Sequence, residues 1–206
     1  MKEYPSIDRV CVNKTVYAFD KLDGSQIRAE WNKKKGFWKF GTRRKLLGEL
    51  TDDIWKEAPV LIKEKYERDL HDMFVKERWQ KTVCYFEFYG KNSFAGNHEN
   101  EPHDVTLFDI RADNKGILLP KDFLKMTEKR GIETAKLLYY GNANQLLVEQ
   151  VKDGKLEGMT YEGVVCKAQE YKTPGIPFMF KLKSLAWLGR LKNKCNGDEK
   201  LFEKLV

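Results

Sequence analysis

The 206-residue sequence predicts an α+β fold in which antiparallel sheets are flanked by helices. Two observations carry this expectation. Short runs rich in aromatic and β-branched residues bracket one long stretch of helical period. Strands and helices also lack the regular βαβ alternation that a doubly wound parallel sheet requires. A chain this long buries roughly 70% of its unfolded surface, so it needs neither disulfides nor structural metal to fold. With 41% hydrophobic and 13% aromatic residues, it is neither disordered nor collagen-like.

The elements follow in chain order. Residues 16–19 read as a strand that ends at Asp20 and Lys21. Gly24 interrupts it, and 26–31 resumes the extended pattern. After a turn at Lys33-Lys34-Lys35-Gly36, residues 36–40 form another aromatic strand. Between 54 and 78 the period changes. Ile54, Leu61, Ile62, Tyr66, Leu70, Met73 and Phe74 recur at helical spacing with charges between them. Residues 82–89 and 105–110 are β-rich. Residues 120–131 form a helix with Pro in its first turn and Gly beyond its end. A short helix is expected at 146–151, strands at 163–166 and 178–182, and helices at 185–194 and 200–205. Tyr139, Tyr140 and the tryptophans read as core. Without repeats, low-complexity tracts or Pro/Gly/Ser linkers, residues 1–206 are expected to form one domain.

Lys plus Arg number 38 and Asp plus Glu 31, a net charge of +7. Residues 33–45 carry seven bases and no acid, and 167–194 carry seven bases against Glu170. Together they hold +13, which leaves −6 on the rest of the chain. Such concentration suits a phosphate-binding surface; two solvated faces are the plain alternative. Cys11, Cys84, Cys166 and Cys195 form no CxxC pair and match no zinc spacing, so they read as reduced thiols of an intracellular protein. His71, His98 and His103 show no ligand spacing, and the last two read as solvated loop residues. No signal-peptide core and no run of ~18 apolar residues occurs, so no membrane span is expected.

Six short motifs stand in a fixed order: Lys21-Leu22-Asp23-Gly24-Ser25, Thr42-Arg43-Arg44, Phe86-Glu87-Phe88-Tyr89-Gly90, Leu107-Phe108-Asp109, Glu162 to Lys167, and Lys181-Leu182-Lys183. Each alone has an ordinary structural reading. Lys21 could be an exposed hairpin residue, Glu87 an outward strand residue between phenylalanines, Phe108 core, and Lys181 and Lys183 guards of an edge strand. Their order and span resemble the covalent nucleotidyltransferase superfamily of ATP-dependent DNA ligases, RNA ligases and mRNA-capping enzymes.

The resemblance implies a ligase-type adenylyltransferase domain using ATP and Mg²⁺ or Mn²⁺. Lys21 would be the nucleophile that forms lysyl–AMP, Glu87 would contact the ribose, and Glu162 would bind the metal, with Glu87 a second candidate ligand. Phe108 would stack on adenine. Asp20, Arg43 and Lys167 would line the nucleotide site, and Lys181 and Lys183 would meet the α-phosphate. Asp23, Gln26, Arg43, Arg44 and the Lys33-Lys34-Lys35 run would touch nucleic acid. A lysine attacks phosphorus only when neutral, and lowering its pKa from ~10.4 to ~7–8 takes roughly 3–5 kcal/mol. Lys181 and Lys183, alternate residues of one strand, share a face. They are expected to crowd Lys21 and push its pKa down.

Only 23 residues follow Lys183, too few for an OB-fold barrel, so no OB-fold domain is expected. The compact spacing, Gly41-Thr42-Arg43 and Phe108-Asp109 are most similar to the second class of phage RNA ligases, which seal nicks in duplex RNA or RNA–DNA hybrids. That likeness implies an enzyme acting on nicked duplexes and suggests a phage origin; a monomer in the cytoplasm is the expected state. Asp23 is commoner in DNA ligases and keeps that reading open. A capping guanylyltransferase and an NAD⁺ donor fit less well. A non-catalytic nucleic-acid-binding module is the alternative of a different class.

Overall fold

A computed structural model describes residues 1–7, 13–49, 53–91, 93, 98 and 100–205. Its first three strands are β1 (Thr15–Lys21), β2 (Ser25–Asn32) and β3 (Gly36–Thr42). A 3₁₀ turn, Asp53–Lys56, leads into helix α1 (Glu57–Lys76). Strands β4 (Lys81–Tyr89), β5 (Asp104–Ala112) and β6 (Gly116–Ile117) precede α2 (Pro120–Glu128). Then come β7 (Leu137–Asn142), α3 (Gln145–Lys152), β8 (Gly163–Thr173), β9 (Ile176–Lys183), α4 (Leu185–Lys194) and α5 (Glu199–Leu205). The strands make two sheets, ordered β7-β1-β8-β9 and β3-β2-β4-β5-β6, and every named strand pair is antiparallel. This is the α+β class that the residue pattern predicts.

Each sheet has one face covered by a helix. The apolar stripe of α1, Ala58, Ile62, Tyr66, Leu70, Met73 and Phe74, packs with Ile27, Ala29 and Trp31 of β2 and Cys84 and Phe86 of β4. Strict alternation puts those strand residues on one side, so the five-stranded sheet turns an apolar face to α1 and a more polar face away from it. On the four-stranded sheet, Leu147, Val148 and Val151 of α3 cover Val16, Ala18, Val164, Cys166 and Phe180. The two remaining faces look at each other. At one end they close on a small cluster of Tyr4, Val83, Tyr85, Ile117 and Met179. There the Ile117 N–H donates to the Gly175 carbonyl at 2.9 Å, joining β6 to the β8–β9 turn. At the other end the sheets part and leave a cleft.

Most predicted elements are present, with ends displaced by a few residues. Three features were not foreseen: β6, β7, and the extension of β8 to Thr173. All have weak patterns. β6 has two residues, β7 is an edge strand with no buried residue, and β8 is exposed from Gln169 to Thr173. Tyr140 is accordingly not core but 61% exposed, and Trp38 is 43% exposed. Cys84, Cys166 and Cys195 are buried free thiols; Cys11 lies outside the described residues. Among the described residues, no helix is long and apolar enough to cross a membrane.

The closed end depends on two glycines. Gly116 has φ +82, and a Cβ there would lie 2.1 Å from the Gly175 Cα. Gly189, inside α4, has open space around it. Gly116→Ala is expected to lower the thermal midpoint by at least ~4 °C, as roughly 2 kcal/mol of strain would do in a domain of this size. Gly189→Ala is expected to raise it, since alanine is favoured over glycine in a helix by about 0.5–1 kcal/mol. Thermal denaturation followed by circular dichroism reads both; equal midpoints would contradict the packing described.

Candidate active site

The cleft has a volume of about 750 Å³, within the usual range for a small-molecule site. One wall comes from the ends of three neighbouring strands. Lys21, the last residue of β1, and Lys183, the last of β9, both pair with Gly163, the first of β8. Gly163 has φ +138, and a Cβ there would meet the Leu182 carbonyl oxygen at 2.0 Å. Only glycine fits, so no side chain separates the two lysines. Glu162, one residue earlier and buried, reaches both. Its Oε2 accepts from Lys21 Nζ at 2.9 Å, and its Oε1 accepts from Lys183 Nζ. The Trp187 ring covers Lys183, with Nζ 3.7 Å from the ring centroid. The Trp187 indole N–H donates to Asp23 Oδ1 at 3.0 Å. Lys181 stands two residues before Lys183, on the same face, and lines the cleft.

The facing wall belongs to the five-stranded sheet. Gln26 of β2 pairs with Glu87 of β4, which pairs with Thr106 of β5. A bulge follows: Tyr85 opposes Asp109 and Phe86 opposes Leu107, which leaves Phe108 as the extra residue. The irregularity lets both Phe108 and Asp109 serve the inner face. Phe108 is half-buried and lines the cleft, held edge-on by Tyr4 with centroids 5.1 Å apart. Behind it, buried Lys167 pairs with Asp109 at 2.8 Å and donates to the Phe108 carbonyl at 2.9 Å. Its Nζ lies over the Phe19 ring at 4.9 Å, and the Tyr4 hydroxyl donates to Asp109.

The electrostatics correct one expectation. Lys21 is not lowered by its lysine neighbours. Burial does act to lower it, but Glu162, Glu87 and Asp23 outweigh that and hold its pKa above the ordinary lysine value. Lys183 is the lowered amine, brought to about 8 by burial and then by Lys21. Burial raises Glu87 to about 7, with Lys21 opposing and Glu162 assisting. The amine at position 21 is therefore an ammonium ion clamped to a carboxylate in the ligand-free protein.

Other placements also differ from expectation. Asp23 lines the cleft but is buried, and its Oδ1 accepts from the Trp187 indole. Asp20 lines the cleft, yet its carboxylate accepts from the backbone and hydroxyl of Thr160 at 3.0 and 3.3 Å. Lys33, Lys34 and Lys35 sit in the β2–β3 turn, roughly 20 Å along the strands from the cleft. The 33–45 basic segment is thus split, and only Arg43, Arg44 and Lys45 reach the rim. Arg43 donates to the Ser6 hydroxyl at 3.1 Å. The second basic segment is split too, because Lys167 is buried in an ion pair. His98 is buried against Glu101, and His103 bridges Glu57 and the Lys91 carbonyl, so neither is a solvated loop residue.

Among the described residues, no group of three or more His, Cys, Asp or Glu could hold a metal ion. Glu87 and Glu162 nevertheless face one another across the cleft closely enough to raise the Glu87 pKa. Two carboxylates fit a hard cation of the Mg²⁺ type, which takes its other ligands from water and phosphate.

A sequence model of the RNA ligase family matches residues 14–183, which contain both walls of the cleft. The chain belongs to the RNA ligase family. No curated protein is significantly similar to it in sequence. Among solved structures, the chain resembles an archaeal ATP-dependent RNA ligase, with a TM-score of 0.66 and 17% identity over 95% of this chain and 52% of that one. It also resembles a Naegleria gruberi RNA ligase variant with AMP and Mn, with a TM-score of 0.65 and 15% identity over 92% and 58% of the respective chains. The same Naegleria enzyme with pyrophosphate gives a TM-score of 0.61 and 18% identity over 88% and 52%. The chain therefore spans little more than half the length of these structures.

The sequence reading missed Tyr4, Trp187 and Arg28. Arg28 is buried and donates to the Thr42 carbonyl at 2.7 Å, which fixes the loop that carries Arg43. No local signal marks these residues, since each acts on a partner distant in sequence.

The Glu87 shift has a sign that can be checked. Its folded pKa lies above that of an unfolded glutamate, so its contribution favours folding at low pH and is lost between about 4.5 and about 7. Glu87→Gln is expected to shrink the fall in urea-unfolding free energy between pH ~5 and ~8 by on the order of 2–3 kcal/mol, with chelator present. Identical pH profiles for the two proteins would remove the buried-carboxyl assignment.

Proposed function

We propose that this protein is an ATP-dependent RNA ligase that joins a 3′-hydroxyl to a 5′-phosphate through lysyl–AMP on Lys21. The observation that carries the reading is the clamp of Lys21 and Lys183 on Glu162, inside a nucleotide-sized cleft with Phe108 on the other wall. Relatives of the same fold with ATP and Mn, AMP and Mn, or pyrophosphate support the choice of donor.

In the first step, the Lys21 amine forms a bond to the α-phosphorus of ATP as the bond to the β-phosphate oxygen breaks, releasing pyrophosphate. AMP then passes to a 5′-phosphate, and the 3′-hydroxyl displaces AMP to make the phosphodiester. All three steps are phosphoryl transfers, where positioning and charge neutralisation supply most of the acceleration. Phe108 would stack on the adenine, and Lys181 and Lys183 would hold the α-phosphate. Before attack, Lys21 must lose the proton that Glu162 helps to keep. A divalent cation bound at Glu162 and Glu87 would neutralise the pyrophosphate and take up that carboxylate charge. Burial and the Lys183 ammonium then act on Lys21 with only Asp23 opposing.

The proposed substrate is a nicked duplex with RNA at the break, and the proposed working unit is a monomer with residues 1–206 as one nucleotidyltransferase domain. Incubation with α-³²P-ATP and Mg²⁺ is expected to label the protein, and Lys21→Ala is expected to reduce labelling by at least ~1000-fold. Wild-type protein that binds nicked duplex yet stays unlabelled would make it a binding module and contradict the proposal. Matched nicks differing only in RNA or DNA at the 3′-hydroxyl strand then separate the RNA from the DNA reading.

A further inference from the structure

Two smaller hollows continue the cleft along the N-terminal segment. The first, of about 420 Å³, shares Tyr4, Pro5, Ser6, Arg43 and Arg44 with the cleft. It also contains Arg111, which is shared with a second hollow of about 370 Å³ lined by Lys2, Lys81 and Lys115. The order of cations from the cleft outward is therefore Arg43 and Arg44, then Arg111, then Lys2, Lys81 and Lys115. Sheet register accounts for the alignment. Arg111 pairs with Val83 on the inner face of the five-stranded sheet, beyond Tyr85 and Asp109, while Lys81 starts β4 and Lys115 follows β5.

Most of these charges are not consumed internally. Among the described residues, neither Arg44 nor Arg111 makes a hydrogen bond or ion pair through its guanidinium. Lys81 is the exception, 3.3 Å from the buried Glu30 carboxylate. Glu3 and Asp113 are the carboxylates lining the two hollows. The six cations thus outnumber Glu3, Asp113 and Glu30 by three.

We infer that this band is the path of the RNA strand whose end occupies the cleft, held by its phosphates and not by its bases. The inference rests on the ligase reading and adds the route by which the polymer leaves. β4 covers roughly 20 Å from Glu87 to Lys81, enough to follow about six phosphates of one duplex strand. A row of Arg and Lys over that length suits a repeating polyanion, and contacts of this kind set register without reading sequence. The Lys33-Lys34-Lys35 turn lines none of these hollows and adjoins the outer end of the band, where the Lys33 N–H donates to the Gln80 carbonyl at 3.2 Å.

The test uses fluorescence anisotropy of a labelled nicked RNA duplex between about 50 and about 200 mM salt. Arg111→Ala with Lys115→Ala is expected to weaken binding on the order of tenfold or more and to flatten the log–log salt slope by about 1.8. Labelling from α-³²P-ATP should not change, because neither residue lines the cleft. Lys152→Ala with Lys155→Ala removes two charges beside α3, on the far face of the four-stranded sheet, and should leave the slope unaltered. If the alanine pair lowers the thermal midpoint, Arg111→Gln with Lys115→Gln keeps side-chain bulk and carries the same expectation. An unchanged slope in the band variants overturns the inference, and leaves the band to an acidic protein. An equal loss in the α3 variants overturns it as a general charge effect. A wild type that takes no label defeats the ligase reading itself, a separate outcome.

Discussion

The site is organised around a buried carboxylate shared by two ammonium groups. Glu162 is 3% exposed, and Lys21 and Lys183 approach its two oxygens from adjacent strand ends. Leaving one partner of a buried ion pair uncompensated costs about 3–5 kcal/mol, so the three side chains hold one another in place. The arrangement is possible only because Gly163 stands between the lysines. Its φ of +138 and its contact with Leu182 admit no side chain, and that turn of the chain aims Glu162 at both amines. Trp187 completes the enclosure by covering Lys183 and tethering Asp23, so the loop after β1 and the helix after β9 are fastened at the same point.

The opposite wall depends on a second irregularity. Regular alternation along β5 would place Phe108 and Asp109 on opposite faces, whereas the bulge lets Phe108 face the cleft while Asp109 anchors Lys167 beneath it. The same buried network reaches Tyr4, so the N-terminal segment is tied to the floor under the aromatic wall. Closure at the Gly116–Gly175 end keeps the two sheets together there, and the separation they reach at the other end is the space a nucleotide would use. Sheet geometry, bulge and glycine contacts therefore set cleft width before any substrate is present.

Much of this was legible in the residues, and the parts that were not have physical reasons. The strands that carry Lys21, Glu87 and Lys183, and the one that follows Glu162, show as alternating or apolar runs, and α1 shows as a helical stripe, because each buries one face against a neighbour. Strand β7 did not show, since an edge strand with no buried residue carries no periodic signal. The charge state of Lys21 is not legible in the residue order. Its cationic neighbours are visible on one strand, but the direction of Glu162 depends on a backbone turn that the residue order does not display. The 33–45 basic run looked like one surface, yet a hairpin carries its two halves to opposite ends of β2 and β3. Arg111 belongs to no basic run, and only the register of β4 and β5 lines it up with Arg43 and Arg44.

Direct titration of the lysine amines tests the clamp most closely. In ¹⁵N-labelled protein free of metal and nucleotide, the Nζ resonances of Lys21 and Lys183 can be assigned by Lys→Arg substitution and followed with pH. The account predicts that Lys183 loses its proton near 8 while Lys21 stays charged beyond the ordinary lysine range. A Lys21 amine that deprotonates first, with Lys183 still charged, would contradict it.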